Sequence, residues 1–221
     1  MPGKVFVVTN QKGGSGKTTS AMNIAGALTH LGHKVVAVDV DAEQASAATW
    51  AAVSGDLPFK VIRMPLSPTL PREIVALAAD YDYVIVDGVP NKDKETIISL
   101  LGIADVGIVP MKPTPLDYWS SVDFLREAQG KAQQINPTLK MALLFVMVNK
   151  SRKNLLSSVE GMIRDPKRKE YVFKNSIGDR SAIASVPAVG LTICDLPGKA
   201  YEAARDEFFH VAKEALKLVG K

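Results

Sequence analysis

The densest chemistry in the chain lies in the run Lys12-Gly13-Gly14-Ser15-Gly16-Lys17-Thr18-Thr19. Glycines let backbone N–H groups converge on phosphate oxygens, and a helix beginning there adds its positive end. Gly13 through Thr18 matches part of the pattern G-x-x-x-x-G-K-[S/T]. The pattern's first glycine would fall at Gln11, and here the glycines come later, at Gly13 and Gly14. In such a loop Lys17 reaches β- and γ-phosphates and the Thr18 hydroxyl binds Mg²⁺. The candidate ligand-binding set is Gly13, Gly14, Ser15, Gly16, Lys17, Thr18 and Thr19. Three aspartates fall where they could complete it. Asp39 and Asp41 follow one apolar run, and Asp87 ends another. Carboxylates at strand ends beside a Gly-rich loop hold Mg²⁺ through water and steer a nucleophile. The competing reading for each is a helix cap or turn residue, which suits Asp39 best.

These groups need elements to position them. Short Val- and Ile-rich runs at Lys4–Thr9, Lys34–Asp39, Tyr83–Asp87, Val106–Pro110 and Ala142–Val148 read as strands, with Phe59–Ile62 a weaker one. Their near-continuous apolarity fits strands covered on both faces. Helical patterns cover Lys17–Leu31, Ala45–Val53, Leu70–Ala79, Lys92–Leu101, Leu116–Gln134, Leu155–Arg164 and Lys199–Val219, with Gly32 placed to close the first. The alternation predicts an α/β fold, a doubly wound and mostly parallel sheet flanked by helices. Its crossovers should be right-handed and its ligand should sit at the strand C-termini. A chain of 221 residues is expected to form a single domain spanning 1–221.

Composition narrows the function. At 47% hydrophobic and 23% charged, the chain is neither disordered nor fibrous. The lone cysteine, Cys194, excludes an intrachain disulfide and a Cys-pair metal site, and His30, His33 and His210 are scattered. No apolar run approaches the ~18 residues needed to cross a bilayer, so a cytoplasmic protein with no membrane partner is expected. Charge is uneven. Residues 1–149 carry net −1, residues 150–180 net +5, and the remainder balances. The surplus sits in Lys150, Arg152, Lys153, Arg164, Lys167, Arg168, Lys169 and Lys174, together with Arg180. That block suits a polyanion such as DNA; the alternative is a solvated helix face with a basic loop.

Lys12, together with the loop it precedes, forms the Lys-Gly-Gly-x-Gly-Lys-[Ser/Thr] signature of a deviant Walker A motif. Here the sequence resembles the ParA/MinD family of dimeric P-loop ATPases. The likeness continues through Asp39-Val40-Asp41, Val84-Ile85-Val86-Asp87-Gly88, Val109–Asp117 and Arg180–Pro197. It looks closest to short, plasmid-type, ParF-like ParA partition proteins. The resemblance implies ATP and Mg²⁺ as cofactors and a homodimer that sandwiches two ATP molecules. It assigns Lys12 to the partner's nucleotide, where a cation stabilises the transferring phosphoryl group. It gives catalysis to Lys12, Lys17 and Asp41, with Asp41 orienting the attacking water. It gives the metal site to Thr18, with Asp39 and Asp87 acting through water. It places the adenine contact at Asn149, with Pro197 packing on the base; an Asn closing a strand is the alternative reading of Asn149. One departure stands out. The family's usual Asp-x-Asp-Pro-Gln is here Asp39-Val40-Asp41-Ala42-Glu43-Gln44, as in MipZ-type members, and the missing proline loosens that backbone.

The function expected from the resemblance is an ATP-driven partition or cargo-positioning switch. The ATP-bound dimer binds non-specific DNA, and a ParB/ParG-like partner stimulates slow hydrolysis and release. The protein would then be cytoplasmic and nucleoid-associated. The alternative is a MipZ/MinD-like spatial regulator of cell division or another structure. MinD-type proteins end in a basic membrane helix, whereas Glu207–Val219 is amphipathic but balanced in charge and reads as a docked helix. A metabolic or electron-transfer enzyme on the same fold is a third class, disfavoured by the lone Cys194 and the retained Lys12.

Overall fold

The computed structural model describes residues 2–41, 46–88, 94–149 and 171–220. Seven strands form one sheet: β1 (Lys4–Val8), β2 (Val35–Asp39), β3 (Lys60–Arg63), β4 (Tyr83–Asp87), β5 (Val106–Met111), β6 (Lys140–Phe145) and β7 (Tyr171–Val172). Their order is β3-β2-β4-β1-β5-β6-β7, and every pairing is parallel. The helices are α1 (Lys17–His30), α2 (Ser46–Ser54), α3 (Leu70–Leu77), α4 (Lys94–Leu101), α5 (Pro115–Ile135), α6 (Ser181–Ser185) and α7 (Lys199–Leu218), with a 3-10 turn at Val186–Val189.

The period of two along each strand sorts the core onto two faces. Phe6 and Val8 of β1 and Val35 and Ala37 of β2 point to the face covered by α1 and α7. Val5, Val7, Val36 and Val38 point to the face covered by α3, α4 and α5. With both faces covered, β2, β4 and β5 are buried at every position. That is why they read as unbroken apolar runs. α7 lays Phe208, Val211, Ala212 and Ala215, all fully buried, onto the first face. It is thus a docked helix, as its balanced charge implied. Among the described residues no helix is long and apolar enough to cross a membrane.

β1 is central, with β4 on one side and β5 on the other. The chain winds outward through β2 and β3, returns to β4, then crosses to β5. The loop after β1 therefore sits at the point where winding reverses, the place where open α/β sheets bind ligands. Most element ends shift by a residue or two, and one strand end and two short elements differ more. β6 ends at Phe145 and does not run to Val148. Met147 adopts φ +55 and turns the chain out of the sheet, leaving Val148 only an isolated bridge to Gly178. β7 has two residues and α6 five, too short to carry a periodic signal. The helix expected at 155–164 lies outside the described residues.

Candidate nucleotide site

The loop after β1 is fixed before it reaches its glycines. Asn10 Nδ2 donates to the Pro110 carbonyl at 2.8 Å and to Ser121 Oγ at 3.1 Å. Gln11 Nε2 donates to the Ser120 carbonyl at 2.7 Å and to its Oγ at 2.8 Å. The stem of the loop is thus stapled to the β5–α5 segment. Gly14 and Gly16 then take φ values of +65 and +86, the left-handed region that side chains avoid. A Cβ on Gly16 would also stand 3.4 Å from Val146 and 3.7 Å from Met147. α1 starts immediately after Gly16 with no side-chain cap and no acidic residue in its first turn. Its leading N–H groups and its dipole are left for an external anion.

Around this loop lies a cavity of about 320 Å³, lined by Gly13–Thr19 with Asp41, Ser46, Asp87, Gly88 and Met147. A second cavity of about 370 Å³ sits between the start of α3 and α4. Among the described residues Glu95 is the only ionisable side chain on its wall, so the smaller cavity gathers more chemistry. Gly88 is required where it stands, because a Cβ there would come 2.8 Å from the Val8 carbonyl. That close approach keeps Asp87 tight against the end of β1.

The electrostatics are those of a site short of partners. Lys17 is buried, and its Nζ donates to the Lys12 carbonyl at 3.2 Å. Burial pushes its pKa down, against the pull of Asp87 and Asp41. Burial pushes the Asp87 carboxyl up to about 7, against a hydrogen bond from Thr18 and the charge of Lys17, while Asp39 and Asp41 raise it further. Asp87 Oδ1 and Ser15 Oγ are buried without a hydrogen-bond partner. Buried polar atoms are seldom left so, and each such atom calls for a missing partner. Among the described residues no cluster of three or more His, Cys, Asp or Glu side chains could hold a metal. A cation here would take most of its ligands from phosphate and water, as Mg²⁺ does. The orphaned Asp87 oxygen beside Thr18 and the uncapped helix fit Mg²⁺ with a polyphosphate.

Asp41 lines the cavity. Asp39 does not. It is fully buried, and its two oxygens accept the Asp41 N–H at 3.1 Å and the Ala48 N–H at 2.8 Å. Asp39 thereby fixes the Asp41 backbone and the first turn of α2. Lys12 is not on the cavity wall, and its ammonium pairs with Asp117. Asp117 is held in turn by the Thr114 hydroxyl at 2.5 Å. Thr114 caps α5 by accepting the Asp117 N–H at 3.1 Å.

The model of the CobQ/CobB/MinD/ParA nucleotide-binding domain matches residues 6–193. The chain belongs to this family. It is 30% identical over 214 residues to "Maintenance of carboxysome distribution protein A" of Gloeobacter kilaueensis, covering 96% of this chain and 93% of that protein. It is 24% identical over 251 residues to "Chromosome partitioning protein ParA" of Myxococcus xanthus, covering 91% and 85%. Among solved structures, cobyrinic acid a,c-diamide synthase of Mycobacterium smegmatis with bound ATP analog and magnesium has a TM-score of 0.75 at 23% identity, covering 99% of this chain and 96% of that one. The parallel sheet and phosphate loop are thus those of the ParA/MinD group.

Of the other residues singled out in the sequence, those among the described residues are not on the cavity wall. Asn149 and Pro197 are exposed and off its wall. Lys150, Arg152, Lys153, Arg164, Lys167, Arg168 and Lys169 lie outside the described residues. Lys174 is exposed, with its N–H donating to Glu214 Oε1 at 2.7 Å. Tyr118 is buried, whereas Trp119 is 52% exposed. Sequence reasoning missed Gly88, Ser46 and Met147 on the cavity wall and the Asn10–Gln11 brace. An Asp-Gly pair ending a strand could have flagged Gly88. Nothing local marks Met147.

Proposed function

We propose that this protein is an ATP-dependent positioning switch of the ParA type. The observation that carries this reading is the pair of orphaned buried oxygens, Ser15 Oγ and Asp87 Oδ1, beside buried Lys17 and an uncapped helix start. The family membership and the names of its relatives support it. ATP occupies the Gly13–Thr19 cradle, where backbone N–H groups and Lys17 bind its phosphates. Mg²⁺, when bound, would be held by Thr18 with Asp87 behind it and would neutralise phosphate charge. Asp41 orients the attacking water, and Asp39 holds the Asp41 backbone in register. Lys12 serves the nucleotide of a second copy, so ATP favours a homodimer and hydrolysis dissolves it. Slow turnover suits a switch, and a ParB/ParG-like adaptor accelerates it. The dimer doubles the basic block at 150–174 and binds non-specific DNA through it.

A second reading has its own support. A relative matched over 96% of this chain is named for carboxysome distribution, so the cargo need not be DNA even where the track is. The MipZ/MinD-like spatial-regulator reading shares the switch and differs in what it positions.

The test is binding to random-sequence duplex DNA with ATP, with ADP and without nucleotide, across a salt series. ATP-selective binding that weakens steeply with salt is expected. Reversing charge at Arg164, Lys167 and Arg168 should weaken binding and leave ATP turnover unchanged. Absence of DNA binding in every nucleotide state would overturn the DNA-borne switch.

A further inference from the structure

Lys12 is not idle in the single subunit. Its side chain is 47% exposed, yet its ammonium is bonded to Asp117, whose side chain is only 9% exposed. The carboxylate is the fixed member of the pair. Its second oxygen takes the Thr114 hydroxyl, and its backbone N–H is bonded to the same Thr114 Oγ1. Burial pushes the Asp117 carboxyl up, but the bonds from Lys12 and Thr114 and the charges of Lys12 and Lys112 outweigh it and hold it below its ordinary value. Asp117 therefore stays charged across the neutral range. The stem residues Asn10 and Gln11 are braced on the same segment, at Pro110, Ser120 and Ser121. Any movement that frees Lys12 is confined to Lys12 itself.

We propose that Asp117 is a positioning residue that restrains Lys12 in the single subunit, so that each subunit must break this ion pair before Lys12 can serve a second copy. The inference rests on the reading above that Lys12 acts across a dimer interface. The geometry also supplies a release. The Lys17 ammonium donates to the Lys12 carbonyl at 3.2 Å. A phosphate in the cradle is a stronger acceptor for that ammonium. Lys17 then leaves the Lys12 carbonyl, and the backbone that carries Lys12 loses one of its two tethers. The other is the Lys12 N–H on Asn10 Oδ1 at 3.1 Å. Phosphate binding in one subunit thus loosens the residue that must reach the next.

A dimer needs two such releases, so the cost of the restraint enters squared. A partly exposed pair is worth up to about fivefold in an equilibrium. Removing both restraints should tighten dimerisation by roughly two- to twenty-fivefold.

The experiment compares the full chain, Asp117→Asn, Lys12→Gln and the double variant. Sedimentation velocity with a non-hydrolysable ATP analogue and Mg²⁺ gives the dimer dissociation constant for each. Asp117→Asn keeps an oxygen at the helix start and removes the charge, and Asp117→Ser does the same with a different side chain. Both should tighten the dimer by that factor. In the Lys12→Gln background neither should have an effect, because the restraint acts through Lys12. An unchanged or weaker dimer in both variants, an equal shift in the Lys12→Gln background, or an effect limited to a lower melting temperature would leave Asp117 only a support for the Thr114 cap and overturn the proposal. If Lys12→Gln dimerises and hydrolyses ATP as the unaltered protein does, the cross-interface reading itself fails, and the restraint with it.

Discussion

Two buried polar clusters, one where the C-terminal helix α7 meets the edge strand β7 and one at the loop after the central strand β1, are satisfied to different degrees. At the α7 edge, Glu214 accepts the Tyr171 hydroxyl, the Lys174 N–H at 2.7 Å, the Asn175 N–H at 3.3 Å and Asn175 Nδ2 at 2.9 Å. Two helical turns earlier, Glu207 accepts the Gly178 N–H at 2.9 Å and a bidentate fork from Arg180 at 2.8 and 3.2 Å. Burial pushes the Glu214 carboxyl up, but its hydrogen bonds outweigh that and hold it below its ordinary value. At the phosphate loop the same balance runs the other way. Burial dominates, Asp87 rises to about 7, and buried oxygens go unpartnered. A buried carboxylate with all its bonds made staples the fold. One left short is held at a cost to stability that a ligand can offset. The comparison separates structure from function without reference to sequence likeness.

It can be broken by experiment. The largest effect is expected at the under-satisfied end. Lys17→Ala should weaken ATP binding by at least a hundredfold, the loss of about 3 kcal/mol of charge-assisted bonding, with the melting temperature near that of the unaltered protein. Titration calorimetry beside thermal melts reads both. Glu214→Ala should do the reverse. It strands its backbone and side-chain donors and should cost about 2–3 kcal/mol of stability, with ATP affinity retained by the folded fraction in the same pair of measurements.

Asp87→Asn tests the sign. The folded pKa of Asp87 is raised to about 7. Between the ordinary carboxylate range and pH 7 the native state binds the extra proton, so its stability falls as pH rises through that window. The substitution removes this penalty. Nucleotide-free Asp87→Asn should melt higher than the unaltered protein at pH 8, by up to roughly 4 kcal/mol. It should match the unaltered protein near pH 4. A constant gap at every pH would reject the buried-charge account of Asp87. Arg180→Ala is the smallest, at about 1 kcal/mol, because the Arg180–Glu207 pair is partly exposed and the Gly178 N–H still serves Glu207. A loss in Arg180→Ala equal to that in Glu214→Ala would show the two glutamates acting as one unit.

The two clusters also differ in how far the sequence reveals them. The phosphate loop is read from adjacent residues, because its chemistry needs glycines, a lysine and a hydroxyl within one turn of chain. The doubly wound, mostly parallel sheet follows from alternating apolar runs and helical patterns in the same way, whereas the order of its strands does not. Glu214 carries no such mark. It sits in an amphipathic helix, and its partners arrive from about 40 residues earlier. Asp117 meets Lys12 across 105 residues, and nothing in the Val109–Asp117 stretch names that partner. The resemblance puts Asp39 near the cation through water, and only the fold shows that both its oxygens accept backbone N–H groups. Local spacing reveals groups that act together along the chain. Groups joined by the crossover of a parallel sheet emerge only with the fold.

The central claim is that the unpartnered groups around Lys17 form a nucleotide site whose filling drives association. The most direct measurement is sedimentation velocity of the purified chain alone, with Mg-ADP, and with Mg²⁺ and a non-hydrolysable ATP analogue. A monomer in the first two conditions and a dimer in the third is the result expected. The same sedimentation coefficient in all three, with nucleotide bound, would contradict the switch; no binding of either nucleotide would contradict the site itself.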